Sequence, residues 1–228
     1  MNAANPMTSS GARPDDRESR LSIIVERCRD LHLDVDLAAV RAWKSANPGG
    51  KAVGSLPIYV PSELIHAAGA LPVGLIGGGD HIDVVRGDAY FQSYICHLPR
   101  SFVEMGLSHR LDSLDGLLFP AICVIRNLSG VSQMLFDNHL VRFVDFPQNF
   151  DAGVGGWFYH RQLLDLAADL GTLTGREVTA GRLAGSIALY NRNRHLIREL
   201  HRRRCDAPAP VATTEAYLLQ RAGHLLPV

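Results

Sequence analysis

Residues 115–127 read Asp115-Gly116-Leu117-Leu118-Phe119-Pro120-Ala121-Ile122-Cys123-Val124-Ile125-Arg126-Asn127. The apolar run from Asp115 to Ile122 predicts a buried strand, and Ile125 to Phe136 predicts the helix that follows it. Cys123 then stands at the point where strand gives way to helix. Outward from this stretch the same alternation recurs. Ala52 to Val60 predicts a strand, Pro61-Ser62-Glu63 opens a helix ending at Gly69, and Leu71 to Ile76 predicts the next strand. Asp88 is placed to cap a short helix through Ser93, Pro99 to Gly106 predicts another helix, and Leu140 to Phe146 a last strand closed by Pro147. Strands alternating with helices predict an α/β fold: a doubly wound, mostly parallel, Rossmann-like sheet under helices on both faces.

The flanks differ in character. Residues 1–20 are polar with scattered Pro and predict a disordered tail. Residues 21–50 predict two helices. The first carries Leu21, Ile24, Val25 and Cys28 on one stripe, and the second takes Asp36 as its N-cap. Residues 51–150 form the α/β unit. Residues 151–228 are helical, with long helices over Trp157–Leu170 and Thr179–Arg204 meeting near Gly175, then a linker at 206–210 and a helix over Thr213–Ala222.

With 228 residues and 46% hydrophobic content the chain can build a sizeable core. Lys+Arg and Asp+Glu both number 23, so the net charge of zero gives no basis for a nucleic-acid partner. The sequence has no apolar run of the ~18 residues that span a membrane and no apolar leader at its start. A cytoplasmic location and no membrane partner are expected. In that reducing compartment the four cysteines are expected to be free, catalytic or metal-bound.

Cys96 sits in a context that matches Cys123: Ser93-Tyr94-Ile95-Cys96-His97-Leu98-Pro99-Arg100-Ser101. Pro99 suits a first helical position. Each cysteine precedes a helix and has an Arg, Arg100 or Arg126, within about one turn. Thiolates gain from a helix N-terminus and from a nearby cation. Two buried thiols and a metal site both remain open on pattern alone, and the strand-end position favours a site.

Several motifs in order resemble the 2-hydroxyacyl-CoA dehydratase and benzoyl-CoA reductase family. They are Asn47-Pro48-Gly49-Gly50-Lys51-Ala52-Val53-Gly54, Pro57-Ile58-Tyr59-Val60-Pro61-Ser62-Glu63-Leu64, Gly87-Asp88-Ala89-Tyr90-Phe91-Gln92-Ser93-Tyr94-Ile95-Cys96, Asp115 to Cys123, Arg126-Asn127-Leu128-Ser129-Gly130 and Val144-Asp145-Phe146-Pro147-Gln148-Asn149. The resemblance implies a [4Fe-4S] cluster with Cys96 and Cys123 as ligands and Arg100 and Arg126 moderating its charge. It also implies an acyl-CoA substrate near the segment Tyr59 to Gly69, a sister subunit of the same family, and an ATP-hydrolysing iron–sulfur activator. His97, beside Cys96, is the candidate proton donor. The reaction class that the resemblance implies is low-potential electron transfer to an aromatic acyl-CoA, with dehydration of a 2-hydroxyacyl-CoA as the alternative. The resemblance also has two gaps. Cys123 runs to Val124-Ile125-Arg126 one residue short of the family spacing, which rotates the downstream residues by about 100°. The family's second α/β half, with its further cysteine, is expected to be absent. Both gaps motivate a redox-silent relative that acts only in subunit assembly.

Three further signals read more plainly. Gly77-Gly78-Gly79-Asp80 fits no phosphate-loop pattern and predicts a turn. His66 is expected to be structural, and Cys205 to be an idle surface thiol. The run from Arg192 to Arg204 holds six arginines and reads as a solvated helix end, with contact to phosphates or a partner as the other reading.

Overall fold

The computed structural model describes residues 14–225 other than 57, 123, 124, 136–138 and 206–210, and the side chains of 14–19 and 125–127 are also outside the described set. In chain order the elements are α1 (Pro14–Leu33), α2 (Ala38–Ala46), β1 (Ala52–Ser55), α3 (Ser62–Ala67), β2 (Leu71–Gly74), α4 (His97–Leu107), β3 (Gly116–Pro120), α5 (Ile125–Leu135), β4 (Leu140–Val144), α6 (Trp157–Thr174), α7 (Ala180–Arg204) and α8 (Thr213–Leu225). The four strands among the described residues form one all-parallel sheet in the order β2-β1-β3-β4. The expected Rossmann-like α/β architecture is present, with helical extensions at both ends.

Alternation along each strand sends side chains to two cores. Ala52, Val73, Leu117 and Phe119 pack with Val40, Phe102, Val103 and Leu128, so α2, α4 and α5 cover one face. Val53, Leu118 and Val144 pack with Leu64, Ile65, Leu166 and Leu170, so α3 and α6 cover the other. Phe102 and Phe119 meet edge to face at 5.4 Å. At the amino end of the sheet Asp115 ties three elements together. Its carboxylate accepts from Lys44 Nζ (2.7 Å), Lys51 Nζ (3.2 Å) and the Ala52 backbone N–H (2.9 Å). Burial pushes the Asp115 carboxyl up, and the Lys44, Ala52 and Lys51 donors outweigh it and hold the group below its ordinary value.

The strands are shorter than their apolar runs. The first was expected over Ala52–Val60 and ends at Ser55. Parallel pairing stops where Gly74 meets Ser55, and Ile58 N–H turns back to Leu56 O at 2.8 Å. Pro57, which lies outside the described residues, has no N–H to continue a ladder. Local ends differ too. α1 begins at Pro14, not Leu21, although residues 1–13 lie outside the described set. On its expected stripe Val25 and Cys28 are buried while Ile24 is exposed. Asp36 does not cap α2. Leu37 turns into the core with φ of 53°, and Asp34 caps from farther back, accepting from the Ala38 and Ala39 N–H groups at 2.8 Å each. Asp36 pairs with Arg110 instead.

The long helices begin and end close to the residues expected of them. Gly175 closes α6 with φ of 68°, and Thr179 Oγ1 accepts from the Arg182 N–H at 3.4 Å to open α7. Among the described residues no helix is long and apolar enough to cross a membrane.

Candidate functional site

Strand order places the site. From β1 the chain moves to β2 on one side and later to β3 on the other, so the carboxyl ends of β1 and β3 flank a topological switch point, where open α/β sheets bind ligands. α4 and α5 pack side by side on one face, each following a parallel strand. Both therefore begin at the carboxyl edge of the sheet.

Cys96 is the N-cap of α4, with extended backbone (φ −61°, ψ 161°). Its thiol is free and exposed. Helix α4 starts at His97, two residues before Pro99, which still falls in the first turn, where backbone N–H groups have no intrahelical acceptor. His97 is exposed on that turn.

The loop from β2 to Cys96 is anchored by α4 itself. Glu104 is 6% exposed. Its carboxylate accepts from the Val85, Arg86 and Gly87 backbone N–H groups at 3.0, 2.7 and 2.8 Å, and from Arg86 Nε at 3.3 Å. Burial pushes this carboxyl up, but the Gly87, Val85 and Arg86 donors prevail and leave it below its ordinary value. Ser101 Oγ accepts from the Gly78 N–H at 3.2 Å and donates to Leu98 O at 2.9 Å. Gly87 lies so close to α4 that a Cβ there would stand 2.3 Å from Arg100 O. Asp88 does not cap a helix. Residues Gly87–Tyr90 form a single 3₁₀ turn, and Asp88 accepts from Arg100 at 2.9 Å. Arg100 is therefore committed to the loop that carries Cys96. The Gly77-Gly78-Gly79 run is a turn, with Gly77 at φ 75° and Gly79 at φ 51°.

Cys123 and the side chain of Arg126 lie outside the described residues, between the end of β3 at Pro120 and the first turn of α5 at Ile125. The structure thus brings Cys96, His97 and Arg100 together on one helical turn. Among the described residues no group of three or more His, Cys, Asp or Glu side chains is arranged to hold a metal ion. Cys96 presents a free, exposed thiol at the N-terminal end of a helix.

A second feature of this edge involves Tyr59, the first residue of the segment expected near the acyl-CoA, in a geometry that the sequence did not predict. Tyr59, just beyond β1, adopts φ of 59° and stacks on Phe146, just beyond β4, at 4.6 Å. Tyr159 meets Phe146 edge to face at 5.3 Å and donates its hydroxyl to Tyr59 O at 3.4 Å. Burial and the Glu63 charge push the Tyr159 phenol up. A tyrosine held at positive φ marks local strain of the kind found at functional sites. Composition carried no signal for it.

The remaining candidates are structural. His66 Nδ1 lies 2.7 Å from Ser186 Oγ between α3 and α7. Cys205 is exposed at the end of α7, with Sγ 3.5 Å from His201 O. Cys28 is buried between α1 and α8 against Val25 and Leu218, and burial pushes its thiol up.

The model of the 2-hydroxyglutaryl-CoA dehydratase, D-component family matches residues 57–228. The chain belongs to that family. It is 48% identical over 206 residues to a benzoyl-CoA reductase subunit of Thauera aromatica, covering 90% of this chain and 53% of the relative. It is 30% identical over 180 residues to the (R)-2-hydroxyglutaryl-CoA dehydratase subunit beta of Acidaminococcus fermentans, covering 78% of this chain and 47% of the relative. It is also 28% identical over 209 residues to the lactoyl-CoA dehydratase subunit beta of Anaerotignum propionicum, covering 91% of this chain and 54% of the relative. The chain spans about half the length of the curated relatives it matches.

Proposed function

We propose that this chain is a subunit of an acyl-CoA reductase of the benzoyl-CoA reductase kind. In this reading Cys96 and Cys123 are ligands of a [4Fe-4S] cluster. A sister subunit, an ATP-hydrolysing iron–sulfur activator and an acyl-CoA substrate complete the system. The observation that carries it is the 48% identity to a benzoyl-CoA reductase subunit across 90% of the chain, with Cys96 presented free and exposed at the start of α4. A bound cluster would supply low-potential electron transfer.

The chain's own residues hold and aim the site. Glu104 and Ser101 fix the loop before Cys96, so the thiol reaches the carboxyl edge from a rigid helix instead of a mobile segment. Arg100 stays on Asp88, one turn from Cys96, and ties the loop to α4 with its charge offset by that carboxylate. His97, exposed on the same turn, is positioned to hold or deliver a proton at its ring nitrogens. The Tyr59, Phe146 and Tyr159 rings offer an apolar wall for the acyl group.

Anaerobic reconstitution with iron and sulfide, in the presence of the sister subunit, tests the reading. Bound iron and a broad visible absorbance are expected, and Cys96→Ser should lower iron content. Iron unchanged by that substitution removes Cys96 from the ligand set. Failure to bind iron with the sister present favours the redox-silent assembly subunit suggested by the short spacing after Cys123. The family description and the dehydratase relatives favour a second reading, dehydration of a 2-hydroxyacyl-CoA. Turnover of a 2-hydroxyacyl-CoA but not of benzoyl-CoA by the activated complex would select it.

A further inference from the structure

The six-arginine run does more than end a helix. Asn193, Arg194 and Arg198 of α7 face Gln220 and His224 of α8 across an open groove of about 370 Å³. Of the two arginines lining the groove, Arg194 is engaged by a carboxylate and, among the described residues, Arg198 is not. Arg198 uses Nε on the Arg194 carbonyl at 3.2 Å and has no carboxylate partner among the described residues. Gln220 Oε1 lies 3.0 Å from His201 Nε2, and Gln220 is exposed. Arg194 is paired with Glu63. Arg221, next to Gln220 on α8, has its guanidinium 5.5 Å over the Tyr217 ring. Glu199, the other nearby acid, is consumed by Arg202 and Arg203 one turn on. The local balance is therefore positive. His224 is held below its ordinary value by burial and then by Arg221 and Arg194.

We infer that the α7–α8 groove is a binding site for a phosphate-bearing ligand, with Arg198 as its principal donor and Arg194, Gln220, Asn193 and His224 around it. An exposed guanidinium without a carboxylate partner among the described residues, with amide and imidazole side chains lining the same open groove, suits an anion with many acceptor oxygens. The source of the phosphate rests on the acyl-CoA reading: coenzyme A carries both a diphosphate and a ribose phosphate, and either fits the chemistry of the groove.

Titration calorimetry on the iron-free full chain tests this, with inorganic pyrophosphate, coenzyme A and its form lacking the ribose 3′-phosphate as probes. Saturable pyrophosphate binding that competes with coenzyme A is expected. Arg198→Glu should weaken both about tenfold or more, the scale of one charge-assisted contact. Arg203→Glu removes the same charge outside the groove and should leave both unchanged. Weaker binding of the coenzyme without its 3′-phosphate places that phosphate in the groove, and equal binding places the diphosphate there. Equal losses from Arg198→Glu and Arg203→Glu reveal a diffuse field and overturn the site. So does tighter binding of a Glu-rich peptide than of pyrophosphate, which would point to a protein partner. Coenzyme A bound equally by the parent and Arg198→Glu overturns the groove while leaving the acyl-CoA reading intact. Circular dichroism of both variants checks that each is folded.

Discussion

Glu104 shows how one residue can set a site that it does not enter. Its carboxylate collects three consecutive backbone N–H groups from a loop lying 17 to 19 residues earlier in the chain. Nothing local in the sequence marks it, because its partners are distant and are backbone. The helix start beside Cys96 was legible to within two residues, since Pro99 suits a first helical position and α4 begins at His97. Its anchoring was not, and neither was the strained turn at Tyr59. Glu104→Ala is expected to cost about 2–4 kcal/mol, because it strands buried donors. Denaturant midpoints measure that loss, and Glu104→Gln, which keeps one acceptor, should lose less. The same carboxyl gives a pH dependence of known sign. Its folded pKa lies below the ordinary value, so its contribution is present above the unfolded pKa and is lost as pH falls through the folded one. Acid titration of stability should therefore be steeper in the parent than in Glu104→Gln. Equal slopes would show that the loop does not depend on the charge.

At the scale of elements, the strands followed from apolar runs and the ends of the long helices from glycine at a helix end and threonine at a helix start, all of which are local. What the pattern could not supply were the ends of strands, which partners decide. Apolar residues such as Leu56 and Leu75 lie beyond the ladder yet remain buried, so hydrophobicity alone overruns each strand. The packing of α8 on β2 is a clear case. A Cβ on Gly74 would stand 1.8 Å from His224 O, which requires backbone to move, not a side chain. Gly74→Ala is accordingly expected to lift the end of α8 from the sheet. Hydrogen exchange should quicken across Ala222–Leu225, while α5, on the far side of the sheet from this contact, keeps its protection. Unchanged exchange in α8 would mean that the helix rests elsewhere.

Across the whole molecule, the first and last helices close on each other. α1 and α8 share a small core of Val25, Cys28 and Leu218 that is separate from the two cores beneath the sheet. This seam and the packing of α8 on β2 connect the chain's flanks to one edge of the sheet. The seam is distinct from the Cys96 turn, which is held by α4. The two regions should therefore loosen independently, and the cysteines report on each. Cys28 is buried while Cys96 and Cys205 are exposed, so a thiol reagent with mass-spectrometric readout should label Cys96 and Cys205 before Cys28. Leu218→Asp places an unpaired charge in the seam. It is expected to raise Cys28 labelling at least several-fold and to leave the Cys96 rate unchanged. If both rates rise together, the seam and the site belong to one cooperative unit, and mutations in the flanking helices would then act on the candidate ligand. If only Cys28 responds, the α/β unit keeps Cys96 in place whatever happens at the seam, which is what a site anchored by Glu104 and Ser101 requires.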